Sequence, residues 1–130
     1  MLSKILSLLP PMLLLAACGG GPPTPIKIHR LPTGEEIKVL GVNKINFAGS
    51  GPALILMYQT DLAIEDTSAL HAEAQRIWEE FRKDADRAQV RNAIVSANSA
   101  PTGSIIDHVR TYNFVYEKSG EGSWREGRSQ

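Results

Sequence analysis

The sequence predicts an α+β fold: a small two-layer domain with one long amphipathic helix packed on a mixed sheet of about five strands. Three observations predict it. Leu70, Ala74, Ile77, Trp78, Phe81 and Ala85 recur at helical spacing. The continuous apolar run Ala53 to Tyr58 and the short segment Ala93 to Ala97 have the length of buried strands. Around them, Ile26/Ile28, Ile37/Val39 and Tyr112/Phe114/Tyr116 alternate with polar neighbours at period two.

The elements follow in chain order. Ile26 and Ile28 open a first strand, Pro32-Thr33-Gly34 breaks it, and Ile37 and Val39 start a second. Proline presets φ for a turn and glycine tolerates positive φ, so the pair forms a hairpin. Gly41 to Phe47 continue the second strand, with a bulge near Gly41. Gly49-Ser50-Gly51-Pro52 is loop. The run from Ala53 to Tyr58 is the central strand and ends in Gln59, Thr60 and Asp61.

The helix is expected from about Thr67 to about Ala88. Asp66, Thr67 or Ser68 can cap its start. Charged residues fill its outer faces, and Glu79 and Lys83 stand in the favoured i,i+4 order. The second buried strand, the loop Asn98 to Gly103, the aromatic strand and a turn at Ser119 to Gly122 come next. Ser123-Trp124-Arg125 returns as a short edge strand, and residues 127–130 are frayed. The helix lies between two buried strands, so those strands are parallel and joined by a right-handed crossover. A single helix covers one sheet face. Either the first hairpin folds over the other face, or that face docks on a partner.

Organisation is simplest at the N-terminus. Lys4 is a positive start, and Ile5, Leu6, Leu8, Leu9 and Met12 to Leu15 form an apolar middle broken by Pro10 and Pro11. A spanning helix needs about 20 apolar residues, so this run is too short to stay in a bilayer. Small Ala16 and Ala17 precede Cys18, the single cysteine in the chain.

Leu15-Ala16-Ala17-Cys18 resembles the lipobox of bacterial lipoprotein precursors, and the resemblance covers the leader alone. It implies a signal peptide over 1–17, cleavage before Cys18, and fatty acyl chains such as palmitate on that cysteine. One buried chain binds a membrane marginally and two or more anchor it stably. Residues 18–25, with Gly19-Gly20-Gly21-Pro22-Pro23, form a tether. By the family's sorting rule, Gly19 in place of aspartate implies the outer membrane, with the domain over 26–126 facing the periplasm.

Composition excludes several function classes. Lys plus Arg equal Asp plus Glu at 14 each, which gives no electrostatic footprint for nucleic acid. One cysteine allows no internal disulfide. His29, His71 and His108 lack ligand spacing, so no metal and no cofactor are expected. Ser50 lies in Ala48-Gly49-Ser50-Gly51, which is not a nucleophile elbow. Asp107-His108 is an acid/base pair without a third member.

Two readings of function follow. One is a non-catalytic binding or structural module anchored in the envelope, its partners the bilayer and an envelope protein. The other is a small periplasmic ligand-binding protein or hydrolase. In open α/β sheets ligands collect beyond the carboxyl ends of parallel strands. Gln59, Asp61, Ser96 and Asn98 stand there as possible ligand-binding residues, and no residue is expected to be catalytic. Asp61 would serve as a base only if burial raised its basicity.

Overall fold

The computed structural model describes residues 26–49, 51–101 and 109–130. The leader, the tether, Cys18, Ser50 and the Asp107-His108 pair lie outside the described residues. Six strands and one helix follow in the order β1 (Lys27–Arg30), β2 (Glu36–Phe47), β3 (Gly51–Thr60), α1 (Thr67–Arg87), β4 (Asn92–Ser99), β5 (Thr111–Lys118) and β6 (Trp124–Glu126). The fold is α+β. The sheet has six strands rather than about five, because the segment at Trp124 pairs fully with β5.

Spatial order equals chain order, β1-β2-β3-β4-β5-β6. Each neighbouring pair is antiparallel except β3 and β4, which run parallel with α1 as their crossover. The β1–β2 turn closes with Leu31 N–H donating to the Glu35 carbonyl at 2.8 Å, and Gly34 takes φ +95°. A bulge sits between Val39 and Gly41. It lets Val39 and Val42 both face α1, because the extra residue restores the phase of the pleat.

The helix begins where its chemistry allows. The Asp66 carboxylate accepts from the Ala69 N–H at 3.2 Å, satisfying one of the orphan donors of the first turn. At the other end Gln89 adopts φ +58°. Its N–H donates to Asp86 and the Val90 N–H donates to Ala85, the two bonds of a Schellman ending, with Val90 buried beside it.

The predicted stripe is the buried stripe: Leu70, Ala74, Ile77, Trp78, Phe81 and Ala85 all lie inside. They meet Leu54, Leu56 and Tyr58 of β3, Val95 of β4, and Phe114 and Tyr116 of β5 in one core cluster. Trp78 stacks on Tyr116 at 4.0 Å between ring centroids and meets Trp124 edge-on at 5.1 Å. Tyr112, Phe114 and Tyr116 are core or packed against it.

Surface pairing on the helix differs from expectation. Lys83 pairs with Glu80 and Arg82 with Glu79, both at i,i+3, so the expected Glu79–Lys83 pair is replaced. Residues 127–130, expected to be frayed, run beside β5. Gly127 donates to the Val115 carbonyl, and Gln130 exchanges backbone hydrogen bonds with Asn113.

Candidate functional site

The two faces of the sheet have different fates. Along β3, Leu54, Leu56, Tyr58 and Thr60 point to α1 and are buried. Ala53, Ile55, Met57 and Gln59 point the other way. The ladder carries this alternation across the sheet, because directly paired residues share a face. Ile55 therefore stands beside Asn43, Ile94 and, through Ile94, Val115. Met57 stands beside Gly41, Ser96 and Asn113. Ile45 stands beside Ala53 and Asn92.

The β1–β2 hairpin does not fold over this second face. It extends the sheet sideways, in register with β3. Among the described residues no element covers the face. Its centre is apolar, with Ile45, Ile55, Met57, Ile94 and Val115 half-buried. Ser96 and Ala53 are fully shielded between these larger neighbours.

The strand-end residues singled out in the sequence divide. Gln59 and Asn98 are register partners, and Ser96 lies one row toward the centre, opposite Met57. Asn98 is already committed: its amide donates to the Tyr58 and Ser96 carbonyls, and its oxygen accepts from the Thr111 hydroxyl at 2.8 Å. Asp61 is 81% exposed at its side chain and takes an ion pair from Lys38 at 3.2 Å. It stands in solvent rather than in an enclosed site. The helix N-terminus nearby is capped by its own Asp66. Gln59, Asp61, Ser96 and Asn98 thus form a polar margin to the open face.

Tertiary contacts supplied partners that sequence spacing did not show. His71 joins a polar cluster with Gln75 and Glu126. Its Nε2 lies 2.6 Å from Glu126 Oε1, Gln75 donates to the same oxygen, and its ring tilts against Phe114. Glu73 accepts from both the Tyr58 hydroxyl at 2.8 Å and the Thr60 hydroxyl at 2.7 Å, under the first turns of α1. Burial, and then the Glu73 charge, push the Tyr58 hydroxyl far above the ordinary tyrosine range. Burial does the same to Tyr116, whose enclosed hydroxyl has no hydrogen-bond partner among the described residues. Both phenols are locked in their neutral form and are structural.

A groove of about 210 Å³ opens on the helix side, between α1 and the β1–β2 hairpin, lined by Ile37, Val39, Val42, Leu56, Ile77 and Phe81. None of the four strand-end residues lines it. Among the described residues no group of three or more His, Cys, Asp or Glu gathers as metal ligands, and no helix is long and apolar enough to cross a membrane.

The residues that reading for chemistry passed over are Ile55, Met57, Ile94 and Val115. Their signal was present in the apolar run Ala53 to Tyr58, the short strand Ala93 to Ala97 and the alternating strand Tyr112 to Tyr116, in a chain with one helix to cover them. Compared with family models, with curated proteins and with solved structures, the chain matches none.

Proposed function

We propose that the protein is a lipid-anchored envelope lipoprotein whose domain is a non-catalytic binding or structural module. The open sheet face carries this reading. An apolar face of several strands left to water invites a partner, since exposed contiguous apolar surface marks interaction sites. The anchor rests on the order Leu15-Ala16-Ala17-Cys18. Acyl chains on Cys18 and the tether behind it would hold the domain beside an outer membrane, facing the periplasm. The strand-end residues supply neither a buried base nor an activated nucleophile, which the hydrolase reading requires.

The anchor and the module are tested separately. Metabolic labelling with an alkyne fatty acid should mark the wild-type protein in the outer-membrane fraction and leave Cys18→Ala unmarked. An unlabelled, wholly soluble wild-type protein would refute anchoring. For the module, alanine at Asp61 and Ser96 should leave the cellular phenotype intact, while lysine at Ile55 abolishes it in a folded protein. Loss confined to Asp61→Ala would favour a ligand or catalytic site instead.

A further inference from the structure

We propose that the open sheet face is a self-association surface, on which two copies of this chain pair face to face about a two-fold axis. The inference rests on the reading of the domain as a binding module and names its partner.

The charge pattern selects a second copy. Among the described residues, strand register places five charged side chains on this face, Asp61 stands at its margin, and the six occur as three ion pairs. These are Arg30–Glu36 at 2.7 Å, Lys38–Asp61 at 3.2 Å and Glu117–Arg125 at 3.5 Å. Among the described residues the face therefore has no excess of either sign. A two-fold interface sets a patch against itself, so an uncompensated charge near the axis meets its own like. Like-charge juxtaposition is how surfaces reject a partner, and here it is absent. A strongly acidic or basic partner would instead select an excess of the opposite sign.

The remaining polar residues have the same property. Asn43, Gln59 and Asn113 lie on this face by register. Each amide is both donor and acceptor, so it can pair with its own counterpart. Their apolar neighbours Ile55, Ile94 and Val115 form one row across three strands. Two such rows can interdigitate at the ~10 Å spacing and ~30° angle of stacked sheets. The outer side of α1 is the contrast, because its exposed charges keep it wet. Copies held on one membrane by a short tether also meet at raised effective concentration, and an axis along the membrane normal sends both tethers the same way.

The test uses the full chain, produced with its leader in a bacterial envelope. Single cysteines are placed at Ile94 and Asn113 on the face, and at Glu79 on the outer side of α1 as control. After mild oxidation, Ile94→Cys and Asn113→Cys should each give a reducible dimer band several-fold above Glu79→Cys and wild type. Adding Ile55→Lys should remove that band while thermal unfolding stays cooperative. Dimer yields from both face positions no higher than from Glu79→Cys would overturn the proposal. Crosslinks to a different protein would overturn self-pairing and leave the module reading standing. Failure of membrane fractionation would refute the anchor, with the dimer still read on the same gel.

Discussion

The two faces of this sheet are built from the same strands and by the same alternation, yet they hold different amounts of the molecule's stability. On the face toward α1, Tyr58, Leu56, Val95 and Tyr116 are nearly inaccessible and touch a helix that carries two large aromatics. On the opposite face, Ile55, Met57, Ile94 and Val115 are as apolar but only partly buried. The lesson is that apolar content alone does not tell a core from a surface. What decides is whether an element exists to cover it. One helix covers one face, and the apolar residues behind it are free to be kept for another purpose.

The comparison can be broken from its heavy side first. Trp78→Ala removes the ring that stacks on Tyr116 and meets Trp124, and should cost about 3–5 kcal/mol by chemical denaturation. Glu79→Ala, one residue along and facing solvent, should cost within about 0.5 kcal/mol. Equal melting temperatures for the two would mean the covered face is wrongly placed.

Next in size is the polar contact beneath the helix. Glu73→Leu leaves the Tyr58 and Thr60 hydroxyls without their acceptor, at a cost of about 1–3 kcal/mol. Glu73→Gln keeps an acceptor and should recover part of the loss. Identical midpoints for the leucine and glutamine variants would show that the bond contributes nothing.

On the light side, Ile55→Ser should cost the separated monomer about 1 kcal/mol or less, because there the side chain meets water. A loss as large as that of Trp78→Ala would show that something covers the open face in solution.

Acid sensitivity sharpens the comparison further. Hydrogen bonding from the Trp124 indole, then from Lys118, lowers the Asp86 carboxyl below its ordinary value, and Arg76 does the same to Glu35. Both ties fasten α1 to other elements. A depressed folded pKa means that the unfolded chain binds more protons, so stability present above about pH 4 is lost as pH falls through the folded values. Both pairs are well exposed, so solvent screening keeps the effect small. Asp86→Asn should flatten this acid limb of a pH–melting curve, and an unchanged limb would remove Asp86 from the account.

Smallest is Tyr116→Phe. It deletes an enclosed hydroxyl that has no partner among the described residues, so stability should stay level or rise. A clear loss would reveal a bond to water at that site.

Much of this architecture was legible in the chain. Helical spacing from Leu70 to Ala85 named the buried stripe residue by residue, because a repeated apolar position every three or four residues has one mechanical meaning. Pro32-Thr33-Gly34 and Gly41 marked the hairpin and bulge for equally local reasons. The rest depended on distance. His71 and Glu126 meet only because β6 returns beside β5, and nothing near either residue announces it. The run Leu54 to Tyr58 suggested cover on both sides, yet a continuous apolar strand is the same string whether its second face is packed or waiting. The strand-end set came from a rule about parallel strands. The rule locates the ends, but it cannot see that Asn98 and Asp61 are already bonded there.

Strand order that equals chain order has a consequence for how the molecule is made. No strand must be inserted between two that have already joined, since each new one adds to the growing edge. A chain emerging N-terminus first can therefore zip from β1 onward, and only the β3–β4 step must wait for α1. Pairings between neighbours in sequence close short loops, which favours rapid assembly. The edge that stays unsatisfied longest during synthesis is that of β3, and its half-finished state presents Leu54 and Leu56 until the helix arrives. Misassembly, if it occurs, should begin at that one pause.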